Sequence, residues 1–386
     1  MGMVDEVIAE ARSRAGLTDF GAESFHEGLG ALLDGATAAG SFNELGMAVL
    51  RDQVTGLLVT RLEVEDWYRR HPEIDEQEIL PPLFGLGLPR TGSTALSFLL
   101  AEDPRFRSLL AWESGAPTPP PDPATHDTDP RIAASAAAMA LIDEMAPKFT
   151  SMLPTSPTGP TECLQIMALD FRSAMFGALG DNRHYEAWMA GCDMVSAYRY
   201  HERVLKLLQW RFPTRSWRLK SPAHMDTIDA LLTVYPDARF VMTHRDIAQA
   251  IPSVVSLLDA ISEYLRTGPL APDFAANQAA YWERSLRRTL AYRDAGHEDR
   301  FHDLGFAEMR PDPLPAMARL YEWLGVDLPP EVADRMRVWW ETHPPDKQGI
   351  HDYRPEQYGI DLDDLRAQFA FYNDRFTSVA PTDRRS

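Results

Sequence analysis

The stretch Leu83-Phe84-Gly85-Leu86-Gly87-Leu88-Pro89-Arg90-Thr91-Gly92-Ser93-Thr94 constrains the fold more than any other part of the chain. An apolar run of strand length follows Pro81-Pro82 and breaks at Pro89 into a turn of small and hydroxylated residues. An apolar helical pattern then runs from Ala95 to Leu100. A strand that turns through glycine into a helix start exposes unpaired backbone N–H groups and the positive end of a helix dipole, a place suited to a phosphate. The nucleoside-triphosphatase loop G-x-x-x-x-G-K-[ST] carries a Lys just before its hydroxyl residue. Here Gly92 stands before Ser93, and the cation comes earlier, at Arg90. The plainer alternative is an ordinary strand–turn–helix corner with Ser93 as its cap.

The rest of the chain narrows the class. Its 386 residues can bury a large core, and the apolar and charged fractions are those of a globular enzyme. A formal charge of −19 argues against nucleic acid or an anionic membrane as the main partner, because both demand a basic surface. Cys163 and Cys192 give neither metal spacing nor a disulfide framework, which points to a reducing compartment. The N-terminus has no basic and apolar signal pattern, and no run reaches the length of a membrane span. A soluble, cytoplasmic protein without stable membrane insertion is expected.

Helical spacing at Val4, Val7, Ile8, Ala11 and Leu17, and again from Leu45 to Leu62, predicts a helical N-terminal extension over residues 1–75, packed on a main domain over 76–386. Residues 115–130, rich in proline, form a long irregular loop, and 133–145 a helix. Pro160, with Gly159 at the cap position, opens a predicted helix that runs through residues 163–176. Helix 196–211, strand 216–219 and an amphipathic helix carrying Met225, Ile228, Leu231 and Leu232 come next. Strand 239–243, helices 246–265 and 272–294, a strand near 300–304 and helix 313–324 follow. Strands alternating with helices imply a three-layer α/β/α domain around a central parallel sheet.

Three segments carry chemistry, each just beyond a predicted strand, where open α/β sheets collect ligands. The first is the loop at 89–94. The second is Trp217-Arg218-Leu219-Lys220-Ser221-Pro222-Ala223-His224. Lys220 ends a strand and faces an anionic ligand, or else is a surface lysine; His224 reads more simply as a solvent-facing residue of a first helical turn. The third is Tyr235-Pro236-Asp237-Ala238-Arg239-Phe240-Val241-Met242-Thr243-His244-Arg245-Asp246, with Ser253 beyond it. Arg245 and Ser253 can converge on one phosphate, and the planar fork of an arginine suits that group. Asp246 is a helix cap and His244 a strand-end packing residue in the plainer account.

Together these segments resemble the sulfotransferases that use 3′-phosphoadenosine 5′-phosphosulfate (PAPS), in their bacterial branch. Pro-Arg-Thr-Gly-Ser-Thr is similar to the family's 5′-phosphosulfate loop, and the Leu-Lys-Ser-Pro-x-His and Tyr-Pro-Asp-Ala-Arg-Phe-Val-x-Thr-His-Arg-Asp segments resemble its other hallmarks. The likeness runs from about residue 83 to 328 and more weakly to 359. It implies a P-loop-like fold and in-line transfer of a sulfuryl group to an acceptor hydroxyl, releasing adenosine 3′,5′-bisphosphate. It implies that Arg90, Thr91, Gly92, Ser93 and Thr94 hold the 5′-phosphosulfate, that Arg245 and Ser253 hold the 3′-phosphate, and that Lys220 is a catalytic-site lysine. Arg90 and Lys220 would neutralise the charge of transfer, with no metal.

The family's cytosolic branch places a base His two residues after this Lys, where Pro222 stands here. By likeness to branches with a Glu beyond an Asp-Pro turn, Glu113 is the first choice of general base, with a solvated loop carboxylate as the alternative. Glu162, which the predicted helix from Pro160 would use near its cap, and His224 are the other candidates. Ala95 replaces an adenine-stacking Trp, so Lys347, His351 and Tyr353 are expected to form a late cofactor-facing loop, unless they are a surface turn. Apolar residues around 171–176 suggest a lipid or aromatic alcohol as acceptor, or simple core packing. A homo-oligomer stays open. The rivals are a nucleotide kinase or triphosphatase, which should show the loop Lys, and a non-catalytic nucleotide-binding module.

Overall fold

The computed structural model describes residues 2–152, 154–343 and 354–376. Five parallel strands form one sheet in the order β2-β3-β1-β4-β5: β1 Leu83–Leu86, β2 Arg107–Ser108, β3 Trp217–Lys220, β4 Arg239–His244 and β5 Phe301–Gly305. β1 lies at the centre, with Phe84 between Leu219 and Phe240 and Gly85 between Lys220 and Val241. All four of its residues are buried, as expected for a parallel strand covered on both faces. Alternation divides the core into two layers. Phe84, Leu86, Phe240 and Met242 join the layer of helices Val195–Gln209 and Phe274–Tyr292. Leu83 and Val241 face the opposite layer, with helices Leu314–Leu324 and Pro330–Thr342. The edge strands are blunted, β2 by its two-residue length and β5 by the exposed Asp303.

The N-terminal helices are α1 Met3–Ala15, α2 Phe25–Ala39 and α3 Glu44–Arg70. They build a second cluster around Phe25, Leu29, Leu58 and Leu62 that also takes in Phe171, Phe176 and Tyr185. The fully buried Arg61 of α3 joins this cluster to the rest. It donates to the carbonyls of Phe20, Ala22 and Leu169 and pairs with Asp170. An unpaired charge in that position would be costly to bury, so Arg61 and Asp170 depend on each other.

One expectation fails here, and one open alternative is decided. Residues 160–176 are not one helix: a helical turn covers Leu164–Met167, a 3-10 turn follows to Asp170, and Phe171 adopts a left-handed φ of 52°. Pro160 instead bridges to Leu110, and the Thr161 N–H donates to the Leu109 carbonyl, so this backbone is extended. The aromatic residues Phe171 and Phe176 are fully buried under the N-terminal helices, which settles them as core. The other predicted strands and helices are present with ends moved by a few residues. Helix Pro130–Met145 is capped by Asp129, and β2 had no sequence signal.

Candidate active site

The turn between β1 and helix α4, Ser93–Ala101, is shaped by close backbone approach. Gly87 has φ 117°, and a Cβ there would lie 2.5 Å from Thr243 of β4. Gly92 is the helix cap with φ 94°, and a Cβ there would meet the Phe306 ring at 2.8 Å. Only glycine fits both conditions. Ser93 is therefore the first helical residue, not the cap, and no cap side chain accepts from the first turn of α4. First-turn N–H groups without a side-chain cap suit an anion. Arg90 takes a left-handed φ of 69°, a conformation that costs a non-glycine residue about 1–3 kcal/mol and is retained mainly where surroundings or function demand it.

The side chains sort into three groups. Thr91 is buried and ties the loop to its frame: its hydroxyl lies 2.6 Å from both the Leu88 carbonyl and Thr243 Oγ1. Arg245 and Ser253, expected to converge, both contact Arg90, which the sequence had assigned to the other end of the ligand. Arg90 Nε donates to Ser253 Oγ at 3.1 Å and its terminal nitrogen to the Met152 carbonyl at 2.6 Å, while Arg245 donates to the Arg90 carbonyl at 2.9 Å. Ser253 sits on helix Ile247–Ser262, which Asp246 caps by accepting from the Ala248 N–H. Arg245 also lies over the Phe306 ring, 4.8 Å from its centroid. Phe306 was not among the candidates. It follows β5 directly, so the rule that sites gather at strand carboxyl ends could have found it.

The third group surrounds Lys220. Its Nζ donates to Glu162 Oε1 at 2.6 Å and to Thr94 Oγ1 at 3.4 Å, and Ser221 Oγ donates to Glu162 Oε2 at 3.4 Å. The Cys163 N–H donates to the Lys220 carbonyl, which fixes Glu162 beside the end of β3. The Lys220 side chain is 7% exposed and that of Glu162 33%, so the carboxylate is the partner open to a reactant.

Glu113 lies elsewhere. It sits in the short helix Ala111–Gly115, fully buried, paired to Arg107 and bonded by His126 Nε2 at 3.2 Å. The solvated-loop alternative is thereby excluded. Arg107 is held between the rings of Phe212 and Trp217, and burial lowers its pKa against the pull of Glu113. The bond to Glu113 raises the His126 pKa despite burial. His224 is not solvent-facing: it is fully buried, with Nδ1 2.8 Å from the Tyr198 hydroxyl and its ring edge-on to Phe84. Its burial, with His201 and Lys220 nearby, pushes its pKa well down and keeps it neutral. His244 does not merely pack. Nε2 bonds Asp303 at 2.7 Å and Nδ1 bonds the Tyr372 hydroxyl at 2.9 Å. Burial works against the Asp303 charge, but the bonds from Arg293 and His244 outweigh it and hold its pKa well below the usual range. Lys347, His351 and Tyr353 lie outside the described residues. Among the described residues, no group of three His, Cys, Asp or Glu could hold a metal, and no helix is long and apolar enough to cross a membrane.

A parallel α/β sheet whose central strand turns through glycine into a helix start, with a loop cation outside the Walker position, is a P-loop-like fold, and its family makes the chain a transferase. The chain belongs to the sulfotransferase family, whose family model matches residues 81–330. It is 33% identical to the sulfotransferase STF9 of Mycobacterium avium, with a TM-score of 0.86 over 97% of this chain and 96% of that one. The sulfotransferase STF1 of Mycobacterium tuberculosis H37Rv is 30% identical, with a TM-score of 0.85 over 95% of this chain and 98% of that one. A curated relative, the omega-hydroxy-beta-dihydromenaquinone-9 sulfotransferase Stf3 of Mycobacterium bovis, is 25% identical over 302 residues, 72% of each chain.

Proposed function

We propose that this sulfotransferase moves the sulfuryl group of PAPS to the hydroxyl of an apolar small molecule, with Glu162 as general base. The observation that carries the assignment is Lys220 Nζ, which reaches both Thr94 on the phosphate-binding helix and Glu162. One cation thereby joins the donor side of the site to a partly exposed carboxylate. Glu113 offers no such path, since it is sealed from solvent and committed to Arg107. The base therefore moves from Glu113 to Glu162, and Glu113 becomes the partner that permits Arg107 to be buried.

In this scheme the first turn of α4, Arg90 and Thr94 hold the 5′-phosphosulfate, and Arg245 and Ser253 take the 3′-phosphate. The acceptor oxygen attacks sulfur in line, the bond from sulfur to the bridging phosphate oxygen breaks, and the acceptor proton passes to Glu162. Lys220 and Arg90 neutralise the charge that gathers on the leaving oxygen, a task of positioning and electrostatics like phosphoryl transfer. Phe306 supplies a flat apolar face beside Gly92 and Arg245, suited to the adenine that Ala95 cannot stack. The apolar acceptor takes its support from the quinone-lipid name of the curated relative.

Thermal-shift titration tests the donor. Adenosine 3′,5′-bisphosphate should stabilise the protein by about 2.7 kcal/mol at a hundredfold excess over its Kd, and ATP with Mg²⁺ should do much less. Equal stabilisation by ATP would favour the kinase or triphosphatase reading. Stabilisation by the bisphosphate without labelled-sulfate transfer to any alcohol of a broad panel would favour a binding module.

A further inference from the structure

Arg245 is the first residue after β4, so the backbone that carries it continues directly from His244, the last residue of that strand. The buried His244 is held on three sides. Its Nε2 lies 2.7 Å from Asp303 of β5 and its Nδ1 2.9 Å from the Tyr372 hydroxyl. Its ring stacks on Phe376, with centroids 4.1 Å apart and planes at 9°. Arg293, itself buried, donates to one oxygen of Asp303 at 2.8 Å and to the other at 2.7 Å. An ionised Asp303 can only accept, so His244 Nε2 carries the proton and Nδ1 is left as an acceptor for the Tyr372 O–H. Burial lowers the His244 pKa against the pull of Asp303 and favours the neutral ring that this row requires. Tyr372 is a fixed point: it is fully buried in helix Ala370–Phe376, within the same core cluster as Leu365 and Phe369. Arg375 ties that helix down again through Asp294 at 2.8 Å and Glu298 at 3.2 Å. Burial raises the Tyr372 pKa, and the Arg245 N–H beside its hydroxyl opposes that rise.

We propose that Tyr372 is a positioning residue for the donor's 3′-phosphate: through His244 it holds the backbone from which Arg245 reaches that group. The proposal rests on the assignment of Arg245 and Ser253 to the 3′-phosphate. The Arg245 guanidinium donates to the Arg90 carbonyl at 2.9 Å and to Gln249 at 3.1 Å, and it lies over Phe306. Those contacts orient the tip of the side chain. The row Tyr372–His244–Asp303 sets its root, from a helix 128 residues further along the chain. A planar fork that must present its N–H groups to one phosphate depends on both ends being placed. Loss of the Tyr372 hydroxyl therefore acts on the 3′ end of the donor. The 5′ end is held from the turn between β1 and α4, which Thr91 ties to Leu88 and Thr243 outside this row.

Calorimetric titration of the full chain with adenosine 3′,5′-bisphosphate and with adenosine 5′-phosphate, which lacks only the 3′-phosphate, reads the contribution of that group as a ratio of affinities. Wild type should bind the bisphosphate at least about tenfold more tightly, given charge-assisted bonds from Arg245 and Ser253. Tyr372→Phe keeps the ring and removes the O–H. It should lower the ratio about fivefold, the size of one lost hydrogen bond, with adenosine 5′-phosphate bound within about twofold of wild type. A merely structural loss would weaken both nucleotides alike and leave the ratio unchanged. In labelled-sulfate transfer the same variant should raise KM for PAPS more than it lowers kcat. Two His244 variants decide the matter should Tyr372→Phe fail to fold. His244→Gln reaches Asp303 but offers Tyr372 no acceptor, and it should lower the ratio as Tyr372→Phe does. His244→Asn places an amide oxygen where Nδ1 stood and should keep the ratio within about twofold of wild type. A wild-type preference for the bisphosphate that Tyr372→Phe and His244→Gln both retain overturns the proposal alone. No preference in wild type would instead overturn the 3′-phosphate assignment of Arg245 and Ser253, and this proposal with it.

Discussion

Replacing Glu162 by Gln separates chemistry from stability because of where the carboxylate lies. Its Oε1 is 2.6 Å from Lys220 Nζ, but the side chain is 33% exposed, so solvent screens the pair. Such a pair contributes about 1 kcal/mol or less to folding, and Tm should fall by no more than about 2–4 °C in a chain of this size. The catalytic effect should be far larger. A positioned base contributes about a hundred- to ten-thousand-fold, and Gln cannot accept the proton. Donor binding should persist or tighten, because Lys220 loses its carboxylate partner and remains beside Thr94. The assay is labelled-sulfate transfer from PAPS to 2-naphthol and a panel of further alcohols, run alongside calorimetric titration with adenosine 3′,5′-bisphosphate. A kcat reduced at least a hundredfold with an unchanged or lower Kd supports the base. Turnover within a few-fold of wild type at intact nucleotide binding refutes it.

Four further outcomes are expected. Glu113→Gln leaves Arg107 buried beside a neutral amide, which should destabilise the fold by about 3–5 kcal/mol in denaturant titration; a stable variant with lost kcat would return the base to Glu113. Arg90→Ala and Arg90→Gly should both lose transfer, but the Gly variant should be more stable by about 1 kcal/mol because it accepts φ 69°; equal melting temperatures would deny the backbone strain. Gly92→Ala combines a forbidden φ with contact on Phe306, so it should weaken bisphosphate binding at least about tenfold by calorimetry, equivalent to about 1.4 kcal/mol; unaltered affinity would dissociate the turn from the donor site. Burial lowers the His201 pKa to about 3, so its neutral form is favoured by folding, and that stability is present above the unfolded value and lost as pH falls toward 3. His201→Leu should therefore reduce the slope of stability against pH between 6 and 4 by about 1.4 kcal/mol per unit, read from urea titrations; an unchanged slope would mean that His201 does not govern it.

The legible parts of this chain were those where local rules and the fold agree. The apolar run at 83–86 is buried on both faces and could only be a central strand, and the residues after β1, β3 and β4 sit where the strand order places ligands. Arg90, Arg245 and Ser253, distant in sequence, meet because β1 and β4 are neighbours. The hidden parts depend on three-dimensional context. β2 has two residues and takes its identity from pairing with β3, so no periodicity could show it. Glu113 follows an Asp-Pro turn at a family-like distance, yet sequence spacing does not report that Arg107, six residues earlier, lies against it. Nor does a Pro-initiated helix pattern reveal that His224 will be covered by Tyr198 and Phe84.

The misplaced helix at 160–176 shows how tertiary contacts overrule local preference. Gly159-Pro160-Thr161-Glu162 has the composition of a helix start, where a carboxylate in the first turn would be held by the backbone and the dipole. The structure instead uses Pro160 in a bridge to Leu110 and spends the N–H groups of Thr161 and Cys163 on the carbonyls of Leu109 and Lys220. Those two backbone bonds flank Glu162 on either side and leave its side chain to Lys220 and Ser221. A helix beginning at Pro160 would turn these N–H groups along its own axis and release the segment from the end of β3. Local rules tend to fail where function is built, since strain or lost propensity is tolerated there only when the surroundings compensate. The extended chain at 160–162 fits that pattern, because it is what places a partly exposed carboxylate 2.6 Å from the lysine that also meets Thr94 at the start of α4.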